Sequence, residues 1–171
     1  MRAHSLPRSA LLMVVVSLMP VSCWYYSFSG ATIPSHLSTI AIPLAEDNSI
    51  STVNGLDERI TTLLVDRFVG QTRLSLEPVA QEADAVLTVS IDAYQNQPTS
   101  VAGNERATRN RVSLTLNVLY VDATRNEEIL ARTFSSFEEY DPLNPSDEEE
   151  AAIAALEKIA DDVFTAATSN W

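Results

Sequence analysis

Two stretches of this chain alternate apolar and polar residues with a period of two. "AVLTVSIDAYQ", from Ala85, sets Leu87, Val89, Ile91 and Ala93 on one face and Thr88, Ser90 and Asp92 on the other. "NRVSLTLNVLYVD", from Asn110, does the same with Val112, Leu114, Leu116, Val118 and Tyr120. Successive side chains of an extended backbone leave on opposite sides, so this alternation marks strands buried on one face and wet on the other. The turn-rich "NQPTSVAGNE" joins them, and after the polar turn "ATRNEE" the segment "EEILARTFSSFEEY" supplies a return strand. The three are expected to form an antiparallel meander whose apolar face needs a cover.

Two segments with helical spacing provide it. Asn54 can cap a helix over Asp57 to Val69, in which Ile60, Leu63, Leu64 and Phe68 share a face and Gly70 supplies the stop. Near the other end, Ser146 and Glu149 have the spacing of a capping box, and Asp147 and Glu148 suit the positive end of a helix dipole. Ile153, Leu156, Ala160, Val163, Phe164 and Ala167 then mark an apolar stripe. "STIAIPL", stopped at Pro43, and "TRLSLEPV" read as short strands. The expectation is a two-layer α+β domain, with two helices packed on one face of a four- to five-stranded mixed, mainly antiparallel sheet and a Ser- and Thr-rich opposite face.

Ahead of this domain, Arg2 and Arg8 precede an apolar block, Ala10 to Met19, which gives way to Ser22 and Cys23. That order is a signal peptide, and the block is shorter than the roughly 20 apolar residues a bilayer span needs. "PVSC" resembles a lipoprotein lipobox, with Pro20 standing where an aliphatic residue is usual. Cys23 is the sole cysteine of the chain. It has no internal disulfide partner, and acylation would remove a reactive thiol from an oxidising compartment. The chain therefore divides into a lipoprotein-type signal peptide (1–22), a lipidated aromatic-rich segment (23–36) and one domain (37–171).

The full chain carries 23 acidic against 11 basic residues, a formal charge of −12. Removing Arg2 and Arg8 makes the mature chain more acidic still. Nucleic acid is not an expected partner, since phosphate backbones call for a basic surface. Acidity of this degree favours solubility and is equally what a high-salt habitat selects. No catalytic residues, cofactor or metal are expected. His36 is the only histidine after the signal, and no G-x-S-x-G, C-x-x-C, H-E-x-x-H or phosphate-binding glycine loop occurs. The acidic run "EEYDPLNPSDEEE" lacks the ligand spacing and glycine of a calcium loop and reads as a solvated turn and helix start. A hydrolase built on carboxylates between Glu138 and Glu150 is the enzymatic alternative.

Arg106, Arg109 and Arg111 interrupt the acidity at the start of the central strand, with Arg109 and Arg111 on the face opposite Val112 and Leu114. Guanidinium groups bind phosphate bidentately. The cluster fits either an anionic head group or surface ion pairs with nearby carboxylates.

Together, "CWYYSFSGATIP", "VAGNERATRNRVSLTLNVLY" and the terminal "EEEAAIAALEKIADDVFTAATSNW" resemble the LptE family of lipopolysaccharide-assembly lipoproteins, in the form found in Bacteroidetes-type bacteria. The resemblance covers nearly all of the mature chain. It implies a non-enzymatic outer-membrane lipoprotein on the periplasmic side, anchored through Cys23. Its partners would be an LptD-like β-barrel, which it plugs and helps to fold, and lipopolysaccharide. Trp24, Tyr25, Tyr26 and Phe28 would lie at the membrane or barrel interface, and Arg106, Arg109 and Arg111 are the candidates for lipopolysaccharide contact. A periplasmic lipoprotein binding module for another envelope partner is the alternative.

Overall fold

The computed structural model describes residues 33–102 and 106–169. Cys23, Trp24, Tyr25, Tyr26 and Phe28 lie outside the described residues, as do Asn170 and Trp171. In chain order come β1 (Thr39–Ala41), β2 (Glu46–Asp47), α1 (Leu56–Gln71), β3 (Ser75–Leu76), β4 (Ala85–Ala102), β5 (Arg106–Asp122), β6 (Glu127–Tyr140) and α2 (Pro145–Thr168).

The three long strands form the expected antiparallel meander. β4 pairs with β5 from Ala85 opposite Asp122 to Ala102 opposite Arg106, and β5 pairs with β6 from Asp122 opposite Glu127 to Asn110 opposite Tyr140. β1 lies parallel to β4 on its free side and β3 parallel to β1, giving the order β3-β1-β4-β5-β6. β2 also runs parallel to β4, beside Ser90 and Ile91, and makes the sheet six-stranded. The expectation of four or five strands missed β2, a two-residue strand in the stretch between β1 and α1 and too short to show a period.

Two further corrections follow from β4. "NQPTSVAGNE" is not a turn at its start: β4 runs on through Pro98 to Ala102, and Asn96 to Thr99 are exposed. A bulge between Ile91 and Ala93 then exchanges the faces, because one extra residue reverses the alternation. Ala93 pairs with Thr115 on the open face, while Tyr94 pairs with Leu114 on the helix side and packs against the core.

Both helices cover the face carrying Leu87, Val89, Ile91, Val112, Leu114, Leu116, Val118 and Tyr120. α1 starts after Gly55, not Asn54; Gly55 has φ 75°, a left-handed conformation that a residue without Cβ adopts freely. The helix passes through Gly70 to Gln71. α2 starts directly at Pro145 after an extended Asn144, and Pro suits a first helical position because it has no N–H to leave unpaired. Ser146 therefore lies inside the first turn, and the expected Ser146–Glu149 box does not form. The buried stripe of α2 is also richer in alanine than expected. Ala151, Ala152, Ala155, Leu156, Ile159, Ala160, Val163, Ala166 and Ala167 are buried, whereas Ile153 and Phe164 flank the stripe half-buried. Arg59 with Glu157 (3.1 Å) and Arg67 with Asp161 (2.6 Å) strap the two helices together, and Arg67 holds the Asp161 carboxyl below the usual aspartate range.

The chain enters the described domain beside the end of β5. Arg73 donates to the carbonyls of Ile33, Pro34 and Leu37, and His36 Nε2 donates to Asp122 Oδ2 at 2.5 Å. The other carboxylate oxygen of Asp122 accepts from the Thr124 hydroxyl (2.6 Å) and from the amides of Thr124 (2.9 Å) and Arg125 (3.1 Å). Burial alone would push this carboxyl up, but Thr124, His36 and the Arg125 amide outweigh it and hold Asp122 at about 2. A depressed folded value means stability that is complete above the ordinary 3.8 and is lost as pH falls toward 2. Asp122→Asn is expected to cost about 1–3 kcal/mol at pH 7, since it leaves nearby donors short of a charged acceptor. In thermal melts the wild type loses stability between about pH 4 and pH 2, and the variant lacks that part of the decline.

Candidate functional site

The end of the sheet opposite this entry point is built around a hairpin that outruns its neighbours. β6 stops at Tyr140 opposite Asn110, whereas β4 and β5 continue together to Ala102 and Arg106. The last four residue positions form a two-stranded ribbon that projects about 13 Å, at a strand rise of about 3.3 Å per residue. On the same rise, Arg106 lies about 50 Å along β5 from Asp122. The arginines and the entry of the chain thus occupy opposite ends of the domain.

The structure gives the three arginines different surroundings. Arg106 stands in β5 opposite Ala102, near the ribbon tip. Arg109 is exposed and lines an open groove with Ser135, Phe137 and Lys158. Arg111 is committed to the sheet: its guanidinium meets Glu139 at 2.8 Å and lies 4.3 Å above the Phe137 ring. The pair is exposed on both sides, and such a pair contributes only about 0–1 kcal/mol. Exposed apolar tips stand at the same end: Ile50 at 96% exposure in the connector after β2, and Leu143 at 72% in the turn before α2.

At the root of the ribbon lies a polar knot that the sequence did not reveal. Glu148, placed by the first turn of α2, accepts from the Thr52 hydroxyl at 2.5 Å and the Tyr94 hydroxyl at 2.6 Å on one oxygen, and from Tyr140 at 3.4 Å on the other. The Tyr140 hydroxyl in turn accepts from Asn96 at 2.7 Å and Asn110 at 3.2 Å. The Thr52 and Tyr94 hydroxyls hold the Glu148 carboxyl below its ordinary value despite partial burial. Burial, followed by the bond to Glu148, pushes the Tyr94 phenol up. Tyr94 therefore remains a donor to the Glu148 carboxylate, and the knot ties β4, β5, β6 and α2 to the loop where the ribbon departs. Glu148 is thus not merely part of a solvated acidic run. The available signal was Asn110, a polar residue at an inward position of an otherwise apolar alternation.

Comparison with known proteins adds the following. The family model that matches, over residues 37–167, is LptE, lipopolysaccharide-assembly. A hypothetical protein of Chlamydia trachomatis is similar in structure with a TM-score of 0.54 and 10% identity, over 78% of this chain and 99% of that one. A protein of Xanthomonas campestris aligns at 0.55 and 12% identity, over 78% and 88% of the two chains. Uncharacterized lipoprotein B of Nitrosomonas europaea aligns at 0.55 and 13%, over 78% and 82%. At such identities these structures speak for the fold. No curated protein matches.

Proposed function

The chain belongs to the LptE family of lipopolysaccharide-assembly proteins, and from that membership we propose that it is a lipid-anchored, non-enzymatic partner of an LptD-like outer-membrane β-barrel. The family match across residues 37–167 carries this proposal. In it, acyl chains on Cys23 hold the protein on the periplasmic side of the outer membrane. The compact α+β domain plugs the barrel and helps it fold, and lipopolysaccharide passes on to the outer leaflet.

Physical features of the domain support the assignment. Its open sheet face carries Thr88, Ser90, Thr115, Asn117, Thr133 and Ser135, small polar side chains suited to a wet barrel lumen, whose walls are polar on the inside. Two or three acyl chains anchor durably where one would not, at about 0.8 kcal/mol per buried methylene. A tethered plug also meets its barrel at a high effective concentration. Trp24, Tyr25, Tyr26 and Phe28, next to the anchor, lie against lipid or the barrel rim.

The ribbon end suits an anionic amphiphile, with arginines for phosphate and Ile50 and Leu143 for acyl chains. Replacing Arg106, Arg109 and Arg111 together by Ala is expected to weaken binding to purified lipopolysaccharide about tenfold or more. Ion pairs with phosphate lost at three positions are the cause. Unchanged binding would remove the arginines from ligand contact and leave the barrel role standing.

The barrel role is tested by depletion. When the chain is depleted from cells, the folded, heat-modifiable form of the barrel partner is expected to fall several-fold while its unfolded form persists. A folded barrel at normal level in depleted cells would refute the assembly role.

A further inference from the structure

β6 is a strand of 14 residues at the end of the sheet order, and among the described residues it pairs on one side only, with β5. Its other edge therefore offers a row of unpaired backbone N–H and C=O groups. Proteins usually guard such an edge with charge, bulges or brevity. Here Glu127, Glu128 and Arg132 guard one part and Glu138 and Glu139 the other, but Thr133 to Phe137 between them is uncharged and rich in β-favouring residues. Phe137 is 53% exposed.

A groove of about 450 Å³ lies beside the second half of this window and past its end, from Ser135 to Glu139. Ser135, Phe137 and Glu139 belong to the open face of the sheet, and Ser136 and Glu138 to the helix face, yet all five line the same groove. Residues pointing to opposite faces share a cavity only where it wraps the strand's free edge. Its charges are largely matched internally, Glu138 by Lys158 and Glu139 by Arg111. At the far end of β6, Glu127 and Glu128 are exposed, and neither forms an ion pair among the described residues.

Main-chain groups along an edge, flanked by side-chain pockets, are the requirements of strand addition. We propose that the free edge of β6 takes up an extended segment of the barrel partner as an added strand. That segment is uncharged where it passes Thr133 to Phe137 and basic where it passes Glu127 and Glu128. A second copy of this chain is the poorer occupant, because it brings one strongly acidic chain against another. The inference rests on the barrel reading above and names the surface by which the partner is held.

The test is hydrogen exchange on the full-length protein, free and in its complex with the barrel, in the same detergent. Outward-facing amides between Thr133 and Glu139 are expected to exchange at least tenfold more slowly in the complex. Neighbouring N–H groups along a strand point to opposite edges, so one of Ser135→Pro and Ser136→Pro removes an outward donor without breaking the β5 ladder. The variant that keeps the wild-type melting temperature is expected to recover the barrel at least tenfold less well. A complex that forms normally with unchanged β6 exchange, or is recovered fully by that proline variant, overturns the inference and leaves the barrel reading intact. Protection of β6 in an assembly containing two copies of this chain and no barrel overturns it in favour of self-pairing. Failure of the wild type to hold any barrel overturns both.

Discussion

Phe68→Ala lowers the unfolding free energy by about 3–5 kcal/mol, the range for removing a large aromatic side chain from a close-packed core. Phe68 is fully buried on α1. Its ring meets Tyr120 of β5 edge-to-face at 5.8 Å and Phe164 of α2 at 5.3 Å. Helix, helix and sheet thus join at one side chain. Domains of this size are stable by about 5–15 kcal/mol in total, so the loss is a large share of the whole. In urea, with a slope of about 1–3 kcal/mol per molar, the midpoint moves down by roughly 2 M. Phe137→Ala, on the exposed edge strand, lowers the unfolding free energy by less than about 1 kcal/mol and serves as the control. A Phe68 variant as stable as the wild type would show that the helices do not meet the sheet through this residue.

Cys23→Ala has an effect as large but on location. Without an acylation site, the full-length protein shifts from the membrane pellet to the soluble fraction once an alkaline wash has removed copies held by partner proteins. Two or three acyl chains on Cys23 would together account for essentially all of the wash-resistant membrane attachment, at about 0.8 kcal/mol per methylene. The domain begins beyond this residue, so the released variant keeps the wild-type melting temperature. Retention of Cys23→Ala in washed membranes as a chain that has lost residues 1–22 would rule out the cysteine as the anchor and point to the aromatic segment, Trp24 to Phe28.

The elements that carry a long period were legible. β5 and the first half of β4 alternate over many residues, and α1 repeats its apolar face over several turns, so the face each buries follows from spacing alone. Shorter or irregular features were not. β2 has two residues and no period, and the bulge at Asp92 exchanges Ala93 for Tyr94 on the helix side without a mark in the residues themselves. The capping of α2 turned on Pro145 at its first position, which outweighed the Ser146–Glu149 spacing. At the ribbon end, sequence located the arginine cluster. It could not show that Arg111 is shared between Glu139 and Phe137 while Arg109 lines an open groove, because the pairing depends on register across two strands. The knot at Glu148 depends on five segments meeting, with residues up to 96 positions apart, and local pattern holds no information at that separation.

The most direct measurement is affinity purification of the tagged full-length protein from gently solubilised membranes, with mass spectrometry of its partners and of its amino-terminal peptide. An equimolar large β-barrel protein, together with an acylated peptide beginning at Cys23, is the expected result. Recovery of a cleaved, unmodified chain without any barrel would contradict the plug assignment and favour a free periplasmic binding module.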